Sequence, residues 1–282
     1  MSAWPVPPRR FAPLLSLERS RLLAVLGSLE PADWDRPTPC PGWSVLGLAT
    51  HLVGDDLSLL AWQRDDHHGT PPPDGLDEHR FITWLDELQV EWVHAARRLS
   101  PRLVVDLLAW LDGQVAATMD VQDPSEVTAH VSWASADPVP VWLDQARELT
   151  ERWIHRQQIL QALGRASDLR PDLAEPVLDG LRWAYPHRLG AVTRPDGTSV
   201  VITVTGPEGE LAWPLVSRGR VWEFATRAAG PPAAHMQLTT EQAWRLLTNN
   251  LVPQLHGQPV SSGDDELLAV LLRTRAIIGE PT

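Results

Sequence analysis

The sequence predicts an α-helical bundle followed by a small mixed α+β domain. Two observations carry this. Apolar residues recur at helical spacing in long stretches up to about residue 190. Beyond it the pattern changes to short Val- and Trp-rich segments separated by Gly- and Pro-containing turns. A third observation sets the scale: 282 residues, 43% of them hydrophobic, suffice for one large domain or two modest ones.

The first helix is expected over about 11–29, where Leu14, Leu15, Leu17, Leu22, Leu23, Val25 and Leu26 form a broad apolar face with charged residues between. Pro31 and the polar run to Pro37 end it. The turn Pro37-Thr38-Pro39-Cys40-Pro41-Gly42-Trp43 follows, and Ser44 is an N-cap for a second helix over about 45–63. His51, Asp55 and Leu59 recur along one face of that helix. Residues 65–77, with Gly69, Pro71, Pro72 and Pro73, read as a loop. A third helix is expected over 78–99, and Pro101 starts a fourth over about 102–119. Residues 127–133 fit either a short strand or irregular chain wrapping the bundle, and the stretch to Pro140 leaves room for a pocket-covering loop. Another long helix covers about 141–163, its apolar surface including Trp142, Leu149, Trp153, Ile159 and Leu160, with Gly164 as its stop. Four of these five helices suffice for bundle packing.

Residues 173–189 read as a bridging helix, with the domain boundary between Tyr185 and Val192: a bundle over 10–185 and a small α+β domain over 186–279. Strands are expected at 199–205, 210–214 and 221–225, separated by turns at Pro207-Glu208-Gly209 and Arg218-Gly219. Helices at 240–249 and 265–278 complete the domain.

Composition narrows the function. Lys and Arg total 24 against 36 Asp and Glu, a net charge of −12, and no basic aromatic surface is apparent, which argues against nucleic acid. The single cysteine, Cys40, excludes an internal disulfide and a Cys-rich zinc site. The start of the chain is not followed by a signal-peptide core. The apolar run at 14–29 is interrupted by Glu18, Arg19 and Arg21, so no membrane span is expected there. The expected compartment is the cytoplasm. No Gly-rich nucleotide or phosphate motif is present. Most of the 14 Trp residues are expected in helix packing; Trp43 and Trp153 are candidates for the wall of a cofactor pocket.

The chemistry concentrates in a split trio, His51 with Glu151 and His155. The spacing of Glu151-Arg152-Trp153-Ile154-His155 puts its first and last side chains on one helix face. Two imidazoles and a carboxylate hold a divalent metal with a position open for chemistry, and both zinc and iron accept this set. Such a metal polarises a carbonyl or lowers the pKa of a bound thiol. Taken alone, the Glu–His pair also fits a solvated helix surface, and His51 a hydrogen-bonded core residue. Asp55 and Gln158 are spaced to orient the imidazoles. His67 and His68 lie in a charged loop and make poorer ligands. Cys40 has two readings: a thiol beside a helix start, where the dipole favours thiolate, or a structural residue of a proline-constrained turn. Arg188, Arg194, Arg218 and Arg220 carry guanidinium groups suited to carboxylates.

The run Trp34-Asp35-Arg36-Pro37-Thr38-Pro39-Cys40-Pro41-Gly42-Trp43-Ser44, followed by His51-Leu52, together with Glu151-Arg152-Trp153-Ile154-His155, resembles the maleylpyruvate-isomerase-like family of mycothiol-dependent proteins. The resemblance implies a DinB-like helical bundle with a small sterol-carrier-like module after it. It implies that His51, Glu151 and His155 bind a divalent metal, usually zinc, and that mycothiol is the thiol cosubstrate. In the isomerase branch the metal helps mycothiol attack a conjugated keto acid, a bond in the adduct rotates, and the thiol leaves. A basic residue of the terminal domain binds the carboxylates, and Arg218 and Arg220 are the candidates here. The family commonly has an acidic residue three positions after its second histidine, where this chain has Gln158. That leaves metal binding in place and the reaction open. The expected function is a metal-dependent enzyme using mycothiol or a related thiol for isomerisation or thiol transfer on a small electrophilic metabolite. The alternative is a non-enzymatic small-molecule-binding or regulatory protein on the same scaffold.

Overall fold

The computed structural model describes residues 4, 10–73, 75, 78–129, 131–228 and 230–276, without the side chains of 78, 79, 128 and 129. The chain forms two compact units. The first comprises Met1–Ala129 and Val139–Asp168, the second His130–Pro138 and Leu169–Thr282. Among the described residues no helix is long and apolar enough to cross a membrane.

The first unit is helical: α1 (Ala12–Leu26), α2 (Val45–Leu59, continued by a π turn over Leu60–Arg64), α3 (Glu78–Ala95), α4 (Pro101–Asp120) and α5 (Val141–Ala162). A short antiparallel ladder of β1 (Val127–Ala129) and β2 (Val139–Pro140) leads into α5. Helix α1 packs on α4 and α5, while α2 packs on α3, α4 and α5. Leu15, Leu22, Leu48, Leu52, Leu108, Leu111 and Leu149 are buried between them. Each such side chain contributes roughly 1.5–3 kcal/mol. The helix starts follow the sequence: Ser44 Oγ accepts from Gly47 N at 3.3 Å, and Ser100 Oγ from Leu103 N at 3.3 Å, ahead of Pro101.

The charged residues between the apolar positions of α1 are not solvated. Glu18 and Arg19 are 0% and 2% exposed, so a residue type expected outside lies inside. Glu18 accepts two bonds from Arg156, at 2.6 and 2.8 Å. Arg19 pairs with Asp56, whose other oxygen accepts from Arg152 at 2.7 Å. Arg152 in turn pairs with Glu148, and Glu148 with Arg147. Helix α5 is therefore buried on nearly all sides, and its charges are neutralised in alternation rather than by water.

Helices α2 and α3 meet at Gly54. A Cβ there would lie 2.4 Å from Trp92 Nε1, which donates to the Thr50 carbonyl at 2.7 Å. Gly54→Ala is expected to push the indole off this bond and to destabilise the protein by about 1–3 kcal/mol, measurable by urea unfolding. An unchanged midpoint would show that α3 shifts freely.

The second unit contains α6 (Pro171–Leu181), α7 (Ala184–Leu189), β3 (Ser199–Gly206), β4 (Gly209–Arg218), β5 (Val221–Phe224), β6 (Ala234–Thr239), α8 (Thr240–Leu247), α9 (Pro253–His256), β7 (Val260–Gly263) and α10 (Asp265–Arg273). The sheet order is β5-β4-β3-β6-β7, with β3 and β6 parallel and the other pairs antiparallel. Val200, Ile202 and Val204 alternate into the core.

Several elements differ from expectation. The single helix over 173–189 is two helices. Pro186 has no N–H for the Arg182 carbonyl, and Tyr185 N takes it instead at 3.0 Å. Helix α6 contacts α8, and α7 contacts β5 and α10, so residues 169–185 belong to the second unit. Strand β4 runs on past Pro214. The Pro214 carbonyl accepts from Ala225 N at 2.9 Å, just beyond the end of β5, so its missing N–H breaks no internal rung of the ladder. Strands β6 and β7 add to the three expected. Ala234, Met236 and Leu238 do alternate inward, but Ala, His and Gln are weak strand formers, and pairing with β3 decides the matter. Strand β7 is a fully exposed edge of four residues. Residues 277 and 278, the end of the last expected helix, lie outside the described residues.

Candidate functional site

Three parts of the first unit converge: the turn before α2, the middle of α2 with α3 against it, and the centre of α5. The turn is closed by Thr38 N to Trp43 O at 3.0 Å and by Trp43 N to Cys40 O at 3.1 Å. Thr38 Oγ1 donates to Trp43 O at 2.9 Å and accepts from Cys40 N at 3.2 Å. Gly42 sits at φ +80°, where L side chains are strained. The closed turn delivers Trp43 and Cys40 to the same side as α2.

His51, Glu151 and His155 are brought together, with one donor atom from each within 4.8 Å of the others. Glu151 Oε1 lies 2.7 Å from His155 Nε2 and 3.3 Å from His51 Nε2. The two rings stand edge to face, their centroids 4.8 Å apart, and Trp43 lies 4.8 Å from the His51 ring. The histidines are 5% and 8% exposed, while the Glu151 side chain is 40% exposed. The trio is thus walled by protein and open at its carboxylate.

The rear of each imidazole faces a glutamine. His51 Nδ1 is 3.0 Å from Gln89 Oε1, and His155 Nδ1 is 2.7 Å from Gln158 Oε1. A carboxamide oxygen only accepts, so each Nδ1 carries a proton. Asp55 Oδ2 is 3.1 Å from His51 Nε2, and Asp55 Oδ1 accepts from Gln89 Nε2 at 3.3 Å. Cys40 Sγ lies 3.2 Å from Gln158 Oε1.

The charges respond to this crowding. Burial opposes ionisation of Glu151, but the two imidazoles outweigh it and hold the carboxyl well below its usual range. Burial likewise presses His155 towards neutrality, yet the Glu151 charge and the Cys40 contact hold it well above the usual range. Burial pushes the Asp55 carboxyl up against the pull of His51. Two nitrogen donors and one carboxylate, each ring fixed from behind, fit a divalent metal with a free coordination position.

The remaining candidates are placed elsewhere. Trp153 is two residues from both Glu151 and His155, which puts it across α5 from them, and it is 1% exposed in the core. Its hydrophobic bulk packs the bundle. Arg218 ends β4 and Arg220 occupies the β4–β5 turn; both are exposed in the second unit, with Arg220 Nε 3.3 Å from Thr193 Oγ1. Arg194 is engaged by Asp264 and Glu266. His68 pairs with Asp66 in an exposed loop. Gln89 is not singled out by the sequence: one glutamine in a charged helix, 38 positions from its imidazole, carries no local signal.

Residues 15–160, more than half of the chain, match the family model described as the mycothiol maleylpyruvate isomerase N-terminal domain. Among solved structures, the chain resembles the mycothiol-dependent maleylpyruvate isomerase at 15% identity and a TM-score of 0.51. A histidine-to-alanine mutant of that enzyme matches at 14% identity and a TM-score of 0.52. Both likenesses cover 89% of this chain and 90% of the other. At this identity they establish a shared fold. No curated protein matches the sequence. The helical unit with its paired motifs, the mixed sheet after it and the family match agree, and the chain belongs to the mycothiol maleylpyruvate isomerase N-terminal domain family.

Proposed function

We propose that this protein is a thiol-dependent isomerase whose divalent metal, zinc on the family resemblance, is held by His51, Glu151 and His155. One observation carries the reading: both Nε2 atoms face one carboxylate oxygen while both Nδ1 atoms are backed by glutamine oxygens. A metal held there supplies positive charge that favours the thiolate form of a bound thiol and polarises a substrate carbonyl. The chain's own contribution is placement. Gln89 and Gln158 keep the rings turned, and Trp43 packs against the His51 ring. The family match supports mycothiol as the thiol, and a small conjugated acid like maleylpyruvate as the substrate class. On the family resemblance, and because a guanidinium suits a carboxylate, we assign Arg218 and Arg220 to the substrate's acid groups.

The test is metal analysis of the purified protein followed by assay with mycothiol and a cis-configured conjugated keto acid. Expected are about one zinc per chain and isomerisation without net thiol consumption. Stoichiometric loss of thiol would assign the protein to thiol transfer. Absence of metal together with absence of thiol dependence would sink the reading. Gln89→Ala is expected to lower zinc affinity by about 10- to 100-fold, read by chelator competition, because it frees the His51 ring to turn.

A further inference from the structure

A carboxylate presents an oxygen to its neighbour whichever way it turns. A carboxamide does not, because a half-turn about its last bond exchanges oxygen for NH2. With oxygen towards Nδ1, the imidazole is protonated there and its Nε2 lone pair is free. With NH2 towards Nδ1, the proton moves to Nε2 and blocks a ligand at that atom. Each glutamine behind a histidine must therefore be held one way round.

For Gln89 the holder is Asp55, which accepts from its Nε2 at 3.3 Å. The corresponding contact at Gln158 is of the opposite kind. Cys40 Sγ lies 3.2 Å from Oε1, and a thiol is a donor towards a carbonyl oxygen. The same Oε1 receives His155 Nδ1 at 2.7 Å. We propose that Cys40 is a positioning residue: its thiol fixes the Gln158 carboxamide with oxygen towards His155, and so sets which imidazole nitrogen is presented to a ligand. The turn that carries Cys40, closed through Thr38 and Trp43, is what makes this contact possible from outside the helices.

The proposal rests on the metal-site reading, and its test separates the two. Zinc affinity is measured by chelator competition in wild type, Cys40→Ala, Gln158→Glu and the double variant. The His155 Nδ1–H signal is followed in proton–nitrogen correlation spectra of the metal-free protein at mildly acidic pH, where the ring carries both protons. Cys40→Ala is expected to lower zinc affinity about 10-fold and to speed exchange of the Nδ1 proton. In the Gln158→Glu background the same change is expected to cost clearly less on both readouts, since a carboxylate needs no orienting donor and only the direct Cys40 contact with His155 is lost. Cys40→Ser, which keeps a donor, is expected to restore a protected proton, and melting curves check that each variant folds. Equal losses in both backgrounds, or no effect of Cys40→Ala on the proton signal, would overturn the proposal. Failure of wild type to take up zinc would sink the metal reading instead, leaving the proton signal to decide the role of Cys40.

Discussion

Glu151→Ala is expected to lower zinc affinity by at least about 100-fold, more than loss of either glutamine behind the rings, and to remove thiol-dependent turnover. The reason is geometric. His51 comes from α2 and His155 from α5, and Glu151 Oε1 is the atom both Nε2 groups approach. Without it, the one carboxylate oxygen that both rings share is gone, and Asp55, which lies against His51 alone, is left to balance a dication. Glu151→Gln separates charge from shape, because it keeps an oxygen in reach and loses the negative charge. In the metal-free protein it should also bring the His155 pKa down, since burial already presses that ring towards neutrality and Glu151 is the chief group opposing it. Chelator competition, turnover and an NMR titration of the ring read the three effects. Wild-type affinity in Glu151→Ala would falsify the assignment of this carboxylate as a ligand.

Asp56→Ala is expected to destabilise the fold by about 3–5 kcal/mol, the largest single-site stability effect we anticipate. Asp56 is 0% exposed and lies between the guanidinium groups of Arg19 and Arg152, each 2% exposed. Removing it leaves two buried cations without their shared counter-charge, and repulsion between them adds to the loss. Asp56→Asn keeps the shape and is expected to lose a similar amount, which distinguishes charge from packing. Urea unfolding of both variants measures this. A loss under about 1 kcal/mol would mean that water reaches the guanidiniums and screens the pair.

The bundle was legible because its signals are local. Ser44 and Ser100 cap, Pro101 begins and Gly164 follows helices at the positions their chemistry dictates. The trio was legible for a different reason: Glu151 and His155 share a helix face by spacing, and His51 joined them through a motif rather than through any local pattern. What escaped was whatever depends on a partner far along the chain. Glu18, Arg19 and Arg152 look like solvated charges until Arg156 is brought against the first and Asp56 against the other two. Gln89 becomes meaningful only when α3 lies on α2, and the link from Cys40 to Gln158 only when the Cys40 turn reaches α5. Strand β6 alternates correctly, but its residues take up a strand because β3 offers a parallel edge.

The path of the chain between the two units has a consequence for biosynthesis. Residues 130–138 belong to the second unit, yet they are made before α5 and before all the rest of that unit, Leu169–Thr282. Val131 and Trp133, 0% and 2% exposed in the finished protein, are therefore synthesised well before the unit they group with is complete. A fragment that stops at Asp168 lacks the remainder of the unit to which Trp133 belongs and is expected to aggregate more readily than the full chain.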